Sequence, residues 1–197
     1  MTRAESKQAT RIALIEAGLA EMDGHGLDAS LDSICERAGL TRGAFYVHFV
    51  DRDAFIVAVM EHVLGGFVAG LAPLVGQAGG VEKMIQTYFA AVAARLPIVA
   101  GGTGLRMHHL LEACRRSKKI GDAYRQLLGA ARDRLATMLA VDQMARRIRD
   151  DVAATALADF MVIAGLGIPA MFELGLDANL DADALGSTLR ALVRKSA

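Results

Sequence analysis

The chain has 197 residues, of which 53% are hydrophobic and 22% charged, with three prolines and no tryptophan. That composition excludes a disordered or fibrous chain, and the length suits one domain or two small ones burying about 70% of the unfolded surface. Lys and Arg balance Asp and Glu at 22 each, and residues 1–60 hold six basic against nine acidic side chains, so no domain-scale positive charge marks a polyanionic partner. Cys35 and Cys114 form neither a disulfide framework nor a CxxC cluster, which suits a reducing, cytoplasmic setting. The opening MTRAESKQATR is polar and mixed in charge, unlike a secretory leader. Gly65-Gly66, Arg95 and Asp159 interrupt the longest apolar stretches, so no membrane span is expected.

The first amphipathic helix carries Ile12, Ile15 and Leu19 on one face and stops at Gly24-His25-Gly26. Ser30 caps a short second helix with Leu31, Ile34, Cys35 and Ala38 inward, closed by Gly39. Thr41 caps a third with Phe45 and Phe49 on its inner face, and Asp51 a fourth carrying Phe55, Val59 and Val63. Gly70 to Gly80 reads as a connector rich in breakers. Val81–Arg95 follows as a fifth helix, stopped by Pro97 and Gly101-Gly102, then Leu105–Arg116 and residues 118–140. Residues 142–175 are expected as one long apolar helix that Pro169 kinks or restarts, and Asp181–Lys195 is the last. Nothing alternates with a period of two and no fixed-length repeat occurs. The predicted fold is all-α, with about nine helices.

Function is concentrated in Ser30–Arg52, SLDSICERAGLTRGAFYVHFVDR. Two short helices joined by a tight Gly-containing turn make a helix-turn-helix, a unit that sets its second helix in the DNA major groove. The stretch resembles the TetR family of helix-turn-helix transcriptional regulators over roughly residues 8–62. The resemblance is carried by a Gly-Leu turn, Thr-Arg-Gly at the helix start, Phe-Tyr-x-His-Phe within it and Asp-Arg after it. Beyond residue 62 only size and helix count are similar. The resemblance implies a DNA-binding domain at residues 1–52, with its motif at 31–50, and a ligand-binding and dimerisation domain at 53–197. It further implies a homodimer on palindromic double-stranded operator DNA, a repressor released by a small, mainly apolar effector. In that family the pocket acts on the fourth helix.

Each motif residue also has a physical reason. Thr41 as cap leaves backbone N–H groups and the positive dipole end facing outward, toward phosphate. Arg42 stands where recognition helices meet base edges, and its fork suits guanine O6 and N7. Gly43 permits close approach to the groove at about 1 kcal/mol of helix propensity against Ala. Tyr46 and His48 point away from the Phe45/Phe49 core, the Tyr hydroxyl toward a phosphate; His48 taken alone reads as a helix-surface or C-terminal charge partner sooner than as a base reader. Arg52 departs from the lysine that the family places there while keeping the charge. Arg3, Lys7 and Arg11 form one stripe at i, i+4, i+8 that grips a phosphate backbone or simply solvates the helix start. The net −3 of residues 1–60 places the acidic residues on the side away from DNA.

The remainder is less specific. Val152–Leu174 is apolar nearly all round, so it is buried in a core or at a subunit interface, with Leu185, Leu189 and Leu192 as a partner face. Candidate effector contacts are Phe67, Tyr88, Arg106, Met107, His109, Phe160 and Met161; the large side chains among them serve equally as plain core. No nucleophile–base pair, phosphate loop or HExxH occurs, so no catalytic residue, cofactor or resident metal is expected. The other class left open is a helical metal-binding sensor or enzyme built on His108, His109 and Glu112.

Overall fold

The computed structural model describes residues 2–71, 80–94, 106–176, 178 and 180–195, with side chains 66–71 outside that set. Among them lie nine α-helices and no strand: α1 (Arg3–His25), α2 (Leu31–Arg37), α3 (Arg42–His48), α4 (Arg52–Leu71), α5 (Gly80–Ala93), α6 (Met107–Arg116), α7 (Lys118–Met144), α8 (Ala154–Glu173) and α9 (Ala182–Val193). A 3-10 turn, Gly26–Asp28, follows α1.

Local chemistry sets most of the starts. Ser30, Thr41, Asp51 and Asp181 each accept a backbone N–H three residues ahead, from Ser33, Ala44, Ala54 and Ala184 at 3.0, 3.2, 2.6 and 2.8 Å. Thr2 and Glu5 add a reciprocal capping box at the start of α1. Gly39 ends α2 at φ 67, a left-handed position that glycine takes without a Cβ penalty. The connector and stop signals at 72–79, Pro97 and Gly101-Gly102 lie outside the described residues, as does Leu105.

Two compact units emerge, residues 1–65 with 102–125 and residues 66–101 with 126–197, which is not the same division as 1–52 and 53–197. In the first unit, Phe45, Phe49 and Phe55 from α3, the following turn and α4 stack with ring centroids 5.0–5.2 Å apart. Leu14, Ile15, Met22, Ile34 and Met60 are fully buried in this unit. A Cβ at Gly18 of α1 would overlap the tip of the Phe55 ring, so α1 crosses α4 at glycine contact.

The second unit is built on Val81, Ile85 and Phe89 of α5, Met138 and Leu139 of α7, Leu157 and Met161 of α8 and Leu189 and Val193 of α9. Gly186 lets α9 approach Phe89, a Cβ there lying 3.1 Å from the ring. The helix expected over 142–175 is divided, because its first residues are held by polar contacts instead. Asp142 is buried, bound by the Arg147 guanidinium and accepting from Val81 N–H at 3.2 Å. Arg146 turns through φ 56, and Gln143 donates to the carbonyls of Arg149 and Val152 at 2.9 and 2.7 Å. α8 then runs unbroken through Pro169, where a restart was one expectation. Pro169 costs it one backbone donor, and with it the hydrogen bond to the carbonyl of Gly165.

Among the described residues, α8 alone is by length and composition apolar enough to cross a bilayer, with mean hydropathy 1.7 over 18 residues and Asp159 inside it as the sequence places it. Small residues rather than charges punctuate it, and the acid in its interior, Asp159, is bound by Arg132 of α7 at 2.5 Å.

Candidate nucleic-acid interface

α3 is seven residues long, and its two faces differ sharply. Phe45 is buried in the aromatic stack, while Thr41, Arg42, Gly43, Tyr46 and Val47 are exposed, Tyr46 by 56%. Around Gly43 the only atom near a virtual Cβ is Thr41 Oγ1 at 3.6 Å, so this side of the helix is open to an approaching surface.

Basic side chains from α1 join the far end of α3. Arg11 stacks over the Phe49 ring with its guanidinium carbon 5.4 Å from the centroid. The partly buried His48 imidazole is held below the usual histidine pKa by desolvation first, then by the nearby charges of Lys7 and Arg11. Lys7, Arg11 and His48 thus form one cluster. Arg3 is exposed near the start of the same helix.

Two charged residues behave differently from the sequence expectation. Arg52 Nη2 donates to the backbone carbonyls of Leu27 and Ala29, the latter at 2.6 Å, so its guanidinium ties α4 to the 3-10 turn. Asp32 in the first turn of α2 is not on a side remote from α3. Its carboxylate takes Arg42 Nε at 2.5 Å and Nη2 at 2.9 Å. Helix propensity and charge balance are blind to that pairing, because it joins residues ten apart across a turn.

The start of α4 is also fastened to the junction between α6 and α7, a feature with no sequence signal. Ser117 Oγ donates to Asp53 at 2.6 Å, and Lys119 Nζ reaches both oxygens of Asp51 at 2.9 and 3.0 Å. The Ala54 backbone N–H and then the Lys119 ammonium hold the Asp51 carboxyl below the usual carboxylate range. Asp28 and Asp23 add longer ion pairs to Arg116 and Arg106, at 3.7 and 3.9 Å.

The candidate effector residues are dispersed. Arg106 and His109 line a polar groove of about 400 Å³ together with Asp23, His25, His108 and Glu112, all in the first unit. Met107 accepts a weak hydrogen bond from the Tyr124 hydroxyl at 3.8 Å. In the second unit, Met161 is a core residue and Tyr88 packs against that core, its phenol pushed up to about 12 by burial. Phe160 is 48% exposed and turned away from Met161. The side chain of Phe67 lies outside the described residues. Among the described residues no three His, Cys, Asp or Glu side chains are grouped to hold a metal. Glu112 is paired with Arg116 at 2.5 Å, and His109 packs on Gly26, where a Cβ would stand 2.8 Å from its Nε2.

Comparison with known proteins agrees with this geometry. Residues 14–59 match the family described as bacterial regulatory proteins, tetR family. No curated protein matches the chain. Among solved structures, reduced NemR of E. coli superposes with a TM-score of 0.78 at 16% identity, covering 95% of this chain and all of that one. The SmeT–triclosan complex gives 0.72 at 22% identity, covering 95% and 93%. A TetR-family regulator from Cytophaga hutchinsonii gives 0.73 at 20%, covering 98% of each. Residues 14–59 thus match the model of the tetR family of bacterial regulatory proteins, and nearly all of the chain shares the fold of these solved structures.

Proposed function

We propose that this protein is a ligand-responsive transcriptional regulator, a repressor that binds a palindromic operator as a homodimer and is released by a small, mainly apolar molecule. The observation that carries the reading is the outward face of α3. Arg42, Tyr46 and an open glycine stand together on it, flanked by Lys7, Arg11 and His48. A short helix with a reading fork, a hydroxyl and a gap for close approach suits the major groove, and the flanking cations suit phosphates. Arg3 extends that basic edge, and Arg52 serves as a positioning residue that fixes α4 beside α3.

The homodimer rests on α8. Ala156, Phe160, Ile163 and Gly167 recur at i, i+4, i+7 and i+11, and all four are exposed. An apolar stripe of this kind is stable in water when a copy of itself covers it, and a two-fold dimer matches a palindromic site. Release follows from the α4 attachment, because a shift at the α6–α7 junction pulls on Asp51 and Asp53 and so on the position of α3. The adaptable core around Tyr88 and Met161 is where an apolar effector is sought, by analogy with the triclosan named for SmeT.

Gel-shift titration of the full-length protein against DNA flanking its own gene tests the reading. A shift that survives excess mixed-sequence DNA, and that hydrophobic compounds found by thermal shift reverse, is the expected result. Protein that shows no preference for the flanking DNA and binds no apolar compound contradicts it.

A further inference from the structure

Asp32 is the acidic side chain on the face proposed to meet DNA, and a phosphate backbone repels it. Its pairing with Arg42 is specific in form. A guanidinium offers five N–H donors in two forks, one along the side through Nε and Nη2 and one at the tip through Nη1 and Nη2. Asp32 occupies the side fork, with Oδ1 on Nε at 2.5 Å and Oδ2 on Nη2 at 2.9 Å. The tip fork stays available, and two parallel donors there match the O6 and N7 acceptors that only guanine presents in the major groove.

We propose that Asp32 is a specificity-determining positioning residue: it holds Arg42 side-on so that the tip of the guanidinium reads a guanine in each operator half-site. The proposal rests on the reading of α3 as the recognition helix. The pair is exposed on both sides, so by itself it adds little to folding. Its effect is on the DNA-bound state. Arg42 is held in one orientation before contact and loses less rotamer freedom on meeting a base. The carboxylate meanwhile counts against backbone attraction at every sequence alike, so it lowers binding to mixed DNA, and discrimination between sites comes from the orientation of Arg42. The Ser30 cap, made through Ser33 N–H, keeps the α2 turn that carries Asp32 in place independently of the Arg42 pair.

The test is selection of bound sequences from a pool of randomised duplex DNA by full-length wild type, Asp32→Ala, Asp32→Asn, Arg42→Ala and the Asp32→Ala/Arg42→Ala double variant. Thermal melts run in parallel verify that each is folded. Wild type is expected to select a two-fold motif with a guanine at one position of each half-site. Both Asp32 variants lose on the order of tenfold of the guanine preference at that position alone, while binding mixed-sequence DNA as tightly or more tightly. Arg42→Ala loses the same preference, and the double variant loses no more than Arg42→Ala. A guanine preference unchanged in both Asp32 variants, or a loss spread evenly over all positions, overturns the proposal while leaving the DNA-binding reading intact. A wild type that selects no motif overturns that reading and the proposal together.

Discussion

The outward faces of α3 and α8 are both exposed and both carry a glycine, yet their chemistry is opposite. On α3 and its cap the exposed residues are Thr41, Arg42, Gly43, Tyr46 and one apolar side chain, Val47, while Phe45 turns inward to the Phe45–Phe49–Phe55 stack. On α8 an exposed apolar stripe runs through Ala156, Phe160, Ile163 and Gly167, with Ile163 66% exposed and Asp159, paired with Arg132, at its edge. A face rich in directional donors is stable in water and complementary to base edges and phosphates. An apolar stripe has no such partner in water and gains by exclusion of solvent. Exposure alone therefore says little about what a surface is for, and the kind of side chain exposed says much more.

Substituting each face is the sharpest way to separate them. The largest effect is expected from charge placed in α8 and α9. Leu189, expected as part of a partner face, is only 8% exposed and belongs to the second unit's core. Leu189→Asp should cost at least about 3–5 kcal/mol in urea unfolding, from the lost apolar contact and the buried charge. Phe160→Asp, on the open stripe, should leave the melt nearly unchanged but turn a sedimenting dimer into monomer and weaken operator binding with it. Loss of folding in Phe160→Asp, or a dimer that survives it, would place the subunit contact elsewhere.

Next in size are two glycines of the first unit, Gly43 in α3 and Gly18 in α1. Gly43→Leu should abolish operator binding while stabilising α3 by up to about 1 kcal/mol, since the site is open and leucine is the better helix former. Gly18→Ala should do the reverse, costing about 1–3 kcal/mol of stability through overlap with Phe55 while correctly folded molecules still bind. Chemical denaturation and fluorescence anisotropy on the same preparations would check both signs at once.

The smallest effect is a pH dependence at His48. Its imidazole is desolvated and near Lys7 and Arg11, so in the free protein its pKa lies below the ordinary histidine value. In the pH window between that lowered pKa and the ordinary value, the folded state binds fewer protons than the unfolded one, and this contribution to stability falls as pH drops through it. A phosphate beside His48 favours the charged ring, so operator binding takes up protons and tightens as pH falls from 7 toward 5.5. Binding isotherms across that range should show the trend in wild type and a flatter one in His48→Gln. An equal slope in both would remove His48 from the interface.

The sequence by itself determined the helices and most of their limits, because those depend on neighbours within four residues. Ser30, Thr41, Asp51 and Asp181 are caps by residue type and position, Gly39 is a left-handed stop, and Phe45 and Phe49 share a face by spacing alone. The Thr-Arg-Gly and Phe-Tyr-x-His-Phe pattern likewise located α3, the helix proposed to meet DNA. It did not determine where the long charged side chains go. Arg52 turns to the Leu27 and Ala29 carbonyls instead of outward, Arg42 is met by Asp32, and Ser117 reaches Asp53 across 64 residues. The same holds for Leu189 and Leu192, both assigned to one partner face, of which one is core and the other exposed. Only the tertiary structure decided these, since a guanidinium or carboxylate pairs with whatever group packing brings within reach, and an apolar side chain is inside or outside according to which helix lies against it.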